Sequence, residues 1–355
     1  MPPSLAIVWQ NLPAAVLQQE HGPSFDWDRL NLRRGSLPFL GSDAIAAALD
    51  SFGTGSERLL VGRQGQKIVA MFVLVRTSAA GWQTYQPSQL PLGAWVADDT
   101  LPLLDLARSL IRGPLGSCLL LSVTQIDPLH AARSPDSADS QSSDYIRTAW
   151  TELQGSFAEY WNQRGKNLRQ NMRKQRNRLA AEGISGRLRV LDQPRDMAAA
   201  IERYGALESA GWKADRGTAI HPDNAQGKFY RRLLEYAARR GEAVVFEYLF
   251  DDRVVASNLC LRRDEVLVIL KTTYDESIQS YSPAFLLSQD AIELLYHEGR
   301  VRRIEYYGRM MEWHSRWTET SRVLYHLTLY RWPLLLQLAA WRRRRRQAVE
   351  SRSGH

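Results

Sequence analysis

The stretches RLLVGRQGQKIVAMFVLVRT (58–77) and AVVFEYLFDDRVVASNLCLRR (243–263) read as the same object twice: strand, tight turn, strand. Apolar runs split by a two-residue polar break specify a hairpin. Gly65-Gln66-Lys67-Ile68-Val69-Ala70 lines up with Asp251-Asp252-Arg253-Val254-Val255-Ala256. Each hairpin leads into another strand candidate, a proline-containing segment and a leucine-rich helix, DDTLPLLDLARSLIRG (98–113) and SPAFLLSQDAIELLYHEG (282–299). Further strand candidates follow, CLLLSV (118–123) and RRIEYYG (302–308). A hairpin-strand-helix-strand block written twice predicts two copies of one α/β unit.

The join between the copies is legible too. RSPDSADSQSSDY (133–145) is poor in apolar residues and predicts a solvated loop, with YIRTAWTEL after it as a strand. Ser156 and Glu159 have capping-box spacing and open a helical stretch. That stretch leads to GKNLRQNMRKQRNRLAAEG (165–183), where Leu168, Met172 and Leu179 share one helix face and Lys166, Arg169, Arg173 and Arg176 the next. Such a helix docks by a narrow apolar seam and holds a basic ridge outward. Beyond it, RLRVLDQP (187–194) reads as a strand, and 195–213 and 224–241 as helices. The expected organisation is an N-terminal unit 1–155, a basic connecting helix 156–186, a C-terminal unit 187–331 ending on the strand VLYHLTLYR (323–331), and a basic tail 332–355.

Charge is concentrated rather than spread. Six cations between Lys166 and Arg178 and five from Arg342 to Arg346 exceed the whole net charge of +8. The balance elsewhere, with 44% hydrophobic residues, suits a folded cytoplasmic enzyme. Cys118 and Cys260 lie in apolar runs, which argues against a disulfide framework or a cysteine zinc site. His221, His297 and His326 lack ligand spacing, so no metal is expected. The N-terminus shows no signal-peptide pattern and no window approaches a membrane span.

Several blocks together resemble a known family. PFLGSDAIAAAL (38–49), GSFAEYWNQRGKNLRQNMRKQRNRLAAEG (155–183), ALESAGWKADRGTAI (206–220), LKTTYDESIQSYSPAFLLSQDAIE (270–293) and IEYYGRMMEWHSRWT (304–318) are similar to the CelD-like acyltransferases of cellulose and exopolysaccharide biosynthesis. These are GNAT-superfamily proteins related to the Fem-type aminoacyl transferases. The resemblance implies tandem GNAT-like units, each a mixed, mostly antiparallel sheet flanked by helices. It implies N-acyl transfer from acetyl-CoA or another acyl-CoA to an amino group of a sugar or exopolysaccharide precursor. A Fem-like transfer from aminoacyl-tRNA is an alternative. The chain departs from the pattern at Ala284, where the family has glycine, at His314, where lysine is expected, and in lacking the usual pyrophosphate loop. Those departures are what a non-catalytic, nucleotide-sensing scaffold would show.

In such a fold the acyl carrier binds where the fourth and fifth strands part. The resemblance places Tyr281, Ser282, Ala284 and Phe285 there, with Ser282 as N-cap, Pro283 in the first turn and the amides of Ala284 to Leu286 free for a pyrophosphate. Lys271 would pair with a phosphate or carboxylate. Acyl transfer needs a base, an acid and a polarised carbonyl. Base candidates are Glu208, Asp275 and His314; acid candidates are Tyr274 and Tyr307. Trp212 and Lys213 would shape an acceptor pocket, Arg316 with Trp317 the covering loop, and Lys166, Arg169 and Arg173 the approach of a phosphorylated or glycan substrate. Nucleic acid is disfavoured, because 165–183 holds no aromatic residue. The tail LYRWPLLLQLAAWRRRRR suits an anionic membrane surface at the inner face, an anionic dinucleotide, or plain solvation.

Overall fold

A computed structural model describes residues 6–19, 22–209, 220–221, 223–341 and 345. The chain divides into two compact units, the first Met1–Leu49, Gly53–Ile146 and Val323–His355, the second Asp50–Phe52 and Arg147–Arg322. Unit 1 contains β1 (Val8–Pro13), α1 (Pro23–Arg34), α2 (Ser42–Phe52), β2 (Arg58–Gln64), β3 (Lys67–Ser78), β4 (Gly81–Thr84), β5 (Trp95–Ala97), α3 (Leu103–Arg112) and β6 (Leu120–Ile126). β7 (Ser140–Glu152) begins in unit 1 and ends in unit 2. Unit 2 continues with α4 (Phe157–Gln163), α5 (Lys166–Ala181), β8 (Gly186–Leu191), α6 (Pro194–Ser209), α7 (Ala225–Arg239), β9 (Ala243–Phe250), β10 (Arg253–Arg263), β11 (Val266–Tyr274), α8 (Pro283–Glu298), β12 (Arg303–Glu305) and α9 (Glu312–Ser315). β13 (Ser321–Tyr330) returns the chain to unit 1, where residues 333–341 form a last helix, α10.

The repeated hairpins are β2–β3 and β9–β10. Their turns place Gly65 and Asp251 at φ 59° and 54°, the left-handed geometry a two-residue hairpin turn favours. Both carry a register shift, between Gly62 and Arg63 and between Val254 and Ala256. In each unit the next strand pairs in parallel with the strand after the leucine-rich helix: β4 with β6, and β11 with β12. Parallel pairing requires a crossover, and α3 and α8 supply it. Mixed α/β architecture with mostly antiparallel pairing is thus present in both units.

The core of unit 2 lies between α8, α5 and the β9–β11 face. Leu168, Met172 and Leu179 of α5 are buried in it, as their spacing predicts, each contributing about 1.5–3 kcal/mol by leaving water. Ser156 and Glu159 form the expected capping box at the start of α4.

Three boundaries differ from expectation. The helix 166–181 is part of unit 2 rather than a connector. The strand 323–331 does not complete the second unit: β13 pairs antiparallel with β6 and buries Tyr325, Leu327 and Leu329 in the core of unit 1. The place beside β12 is taken instead by the end of β7, with Arg303, Ile304 and Glu305 opposite Glu152, Thr151 and Trp150. Alternating apolar residues show that a segment is a strand, but any apolar sheet edge can receive it. The loop 133–145 is also shorter than it reads. Ser140 to Tyr145 are already strand, because β7 lies hydrogen-bonded beside β13 in the sheet; the Asp139 carboxylate just before it meets Arg108 at 2.7 Å.

Candidate active site

β11 and β12 run together for only three residues, Val266–Val268 beside Arg303–Glu305. β11 continues to Tyr274, while the chain after β12 turns sharply, with Tyr307 at φ 51° and Gly308 N–H on the Tyr306 carbonyl. The strands therefore part, and a cavity of about 390 Å3 occupies the gap. α6 lends it Leu207 and Glu208, the end of β11 Thr272, Thr273 and Tyr274, and the start of α8 Ser282, Ala284, Phe285 and Ser288. Trp313 and Trp317 close the far side.

Its aromatic wall is held rigidly. The Phe285 ring stacks on Trp317 with centroids 5.8 Å apart, and the Arg316 guanidinium lies 5.4 Å from the Phe285 centroid. The Trp317 carbonyl accepts hydrogen bonds from the Tyr160 hydroxyl at 2.9 Å and from Arg164. Buried aromatics fixed by polar contacts at their edges keep one shape.

Glu208 is the buried carboxylate of the cavity, 2% exposed. One oxygen accepts the Ile220 N–H at 2.7 Å. That approach depends on Gly205, where a Cβ would stand 2.6 Å from the Ile220 carbonyl oxygen. Burial, reinforced by the Glu208 charge, pushes the Tyr204 and Tyr230 hydroxyls well above the usual phenol range, so both stay protonated.

Of the residues singled out from sequence, the cavity gathers Glu208, Tyr274, Ser282, Pro283, Ala284, Phe285 and Trp317, with Arg316 bordering it through Phe285. The others lie elsewhere. Asp275 caps the 3-10 turn Glu276–Tyr281, accepting from Ser277 N–H at 3.0 Å and its hydroxyl at 2.6 Å, and pairs with Arg253. A carboxylate so committed serves the turn rather than a substrate proton. Lys271 sits 5.8 Å from the Tyr230 ring centre, Tyr281 donates to Glu182, and Tyr307 faces Arg322; none lines the cavity. Lys166 and Arg173 are exposed on α5, and Arg169 donates to the Arg164 carbonyl. Arg176, the fourth member of that ridge, pairs with Asp290 of α8. Trp212 and Lys213 lie outside the described residues.

The start of α8 also differs from expectation. Ser282 makes no side-chain cap; its hydroxyl accepts from Asn171 at 3.2 Å, and its left-handed backbone turns its carbonyl toward the N–H groups of Phe285 and Leu286. Two of the three amides expected to face a pyrophosphate are thus already bonded. Sequence reasoning missed Thr272, Thr273 and Leu207, although two threonines ending an apolar strand were a readable sign of a polar wall.

A second cavity of about 460 Å3 shares Leu207 with the first. It is lined by Arg189, Arg203 and Arg253 together with Asp252 and Asp275.

His314 is buried behind the aromatic wall, its ring 3.5 Å from that of Trp313 and its Nδ1 accepting the Met311 N–H. Burial lowers its pKa from 6.5 to about 4. Neutral at pH 7 with Nδ1 occupied, it is poorly placed as the base. As pH falls through the window from 6.5 to 4, the unfolded chain binds a proton that the folded chain refuses. Stability is therefore expected to fall by about 3 kcal/mol across that window through this group. Urea unfolding at several pH values should show a shallower acid slope in His314→Asn, whose side-chain oxygen can still accept from Met311.

Residues 166–315 match the family model described as an acetyltransferase (GNAT) domain. This span covers α5 to α9 and every residue lining the first cavity except Trp317. No curated protein matches the chain. Among solved structures, one similar fold is the C-terminal domain of a protein from Agrobacterium fabrum whose name assigns it to the lysylphosphatidylglycerol synthetases: 12% identity, 86% of this chain and 92% of that one covered, TM-score 0.53. FemX is similar at 8% identity, 79% and 90% coverage and TM-score 0.50. A protein of unknown function from Bacteroides thetaiotaomicron is similar at 10% identity, 91% and 99% coverage and TM-score 0.50. The GNAT domain makes the protein an acyltransferase.

Proposed function

We propose that this acyltransferase moves an acyl group from a coenzyme A thioester to an amino group of a sugar or exopolysaccharide precursor, the reading that the resemblance to CelD-like proteins suggests. The observation that carries the reading is the cavity where β11 and β12 part, with a buried carboxylate on one wall and a phenol at the strand end. The walls formed by Ala284, Phe285 and Trp317 suit an acyl group and an apolar arm. Arg316 is exposed at their edge and suits a diphosphate better than the partly bonded α8 amides do.

Glu208 accepts the proton as the acceptor nitrogen forms its bond to the acyl carbon, and Tyr274 supplies a proton to the sulfur as the carbon–sulfur bond breaks. The products are an amide and a free thiol. Glu208 then releases to solvent the proton lost by nitrogen as Tyr274 recovers one from solvent, so both groups are restored and charge and atoms balance. The arginine-bearing second cavity, which shares Leu207 with the first, suits the anionic or hydroxyl-rich remainder of the acceptor.

Calorimetry with acetyl-CoA and a free-thiol assay with amino-sugar acceptors test the reading. Binding is expected in the parent and is expected to be lost in Ala284→Trp, which fills the cavity. No binding by the parent and no thiol release would remove the proposal. The exposed cations Lys166 and Arg173 favour one second reading, Fem-like transfer from aminoacyl-tRNA. Turnover that stops on ribonuclease treatment would put that reading first.

A further inference from the structure

We propose that α10 and the arginines after it hold unit 1 against an anionic phospholipid surface, with the helix lying in the plane of the headgroups. From 333 to 341 the sequence is PLLLQLAAW, with one polar residue in nine, yet none of these residues is buried. A helix of this composition inside a protein packs its apolar side away. Here Leu334, Leu338 and Trp341, at helical spacing on one face, are 63%, 47% and 51% exposed, and Trp332 just before them is 55% exposed. These four are a large share of the big exposed hydrophobic side chains among the described residues, gathered within ten positions.

The helix starts from a fixed root. Arg331 N–H donates to the Leu119 carbonyl at 3.0 Å, and its guanidinium donates to the carbonyls of Ile111 at 2.7 Å and Gly116 at 2.5 Å. Pro333 then provides a first-turn residue that needs no donor partner.

Charge and length select the occupant. Arg342 to Arg346 follow the apolar face directly, and the Arg345 guanidinium lies 4.1 Å from the Trp341 ring centre. Five like charges beside an exposed apolar stripe fit a surface that offers both negative headgroups and acyl chains. Tryptophan at each end of the helix is the residue that favours the boundary between the two. Nine residues rise only about 13 Å, far short of the roughly 30 Å hydrocarbon thickness, so the helix lies flat. Among the described residues no helix is long and apolar enough to cross a membrane. The proposal is independent of the acyl-transfer reading, because it uses no residue of either cavity.

Flotation of the full chain with vesicles of phosphatidylcholine alone, or with a quarter of the lipid replaced by phosphatidylglycerol, tests it. The bound fraction is expected to rise at least about tenfold with the anionic lipid at about 0.1 M salt. Replacing Arg342 to Arg346 by glutamine is expected to remove that preference. Leu338→Glu with Trp341→Glu is expected to reduce binding about tenfold while leaving the melting temperature unchanged, because both side chains already face solvent. Equal recovery in the unbound fraction for both vesicles would overturn the proposal. So would undiminished binding by the Glu pair, or a lipid-free dimer that those two substitutions convert to monomer, since a second copy would then be the occupant.

Discussion

Glu208→Gln is expected to lower kcat by about 10²- to 10⁴-fold while changing KM for the acyl donor little. Glutamine keeps an oxygen for the Ile220 N–H and fills the same buried volume, so the wall of the cavity survives the change. What it loses is the ability to take a proton. Steady-state kinetics and thermal melts on both proteins separate this role from a structural one. A structural Glu208 would show itself as a raised KM or a lowered melting temperature. A kcat within about twofold of the parent would assign proton removal to water or to another group.

The family resemblance, rather than periodicity, singled out Glu208, Tyr274, Ser282, Ala284 and Phe285, and the fold brings these five to one cavity. The hairpins were legible because Gly65 and Asp251 accept the left-handed turn that two-residue loops demand. Legibility failed where the outcome depends on a partner remote in sequence. Asp275 and Glu208 are both single acids near a strand or helix end. Only the fold shows that one meets Arg253 and caps a turn while the other lines a cavity. The α5 ridge was correctly spaced, yet spacing says nothing about Asp290 waiting on α8 for Arg176. β13 was a clear strand with no indication that its sheet was that of unit 1. Ser282 read as a cap by residue type, but its left-handed backbone sends the hydroxyl to Asn171.

The largest stability effect is expected at a residue that nothing in the sequence marked. Glu247 on β9 is fully buried and stands opposite Arg189 of β8 in the register. Arg189 reaches it at 2.5 Å, and Arg203 of α6 reaches it at 2.8 Å. A carboxylate withdrawn from water costs several kcal/mol unless its partners remain. Replacing both arginines by methionine is therefore expected to cost about 3–5 kcal/mol in urea unfolding. Glu247→Leu alone should cost less. The two arginine side chains are 33% and 35% exposed, so they can recover hydration that the buried carboxylate cannot. The triple variant, with all three charges gone, should regain most of the loss, since apolar groups in a buried ion site are close to neutral. The consequence reaches the active site through α6. Arg203 pins that helix to β9 by the turn preceding Leu207 and Glu208, so the single variant Arg203→Met should lose activity in excess of its loss of stability. If the double methionine variant unfolds at the parent's urea concentration, Glu247 has found water or a proton instead, and α6 must be held by its apolar face alone.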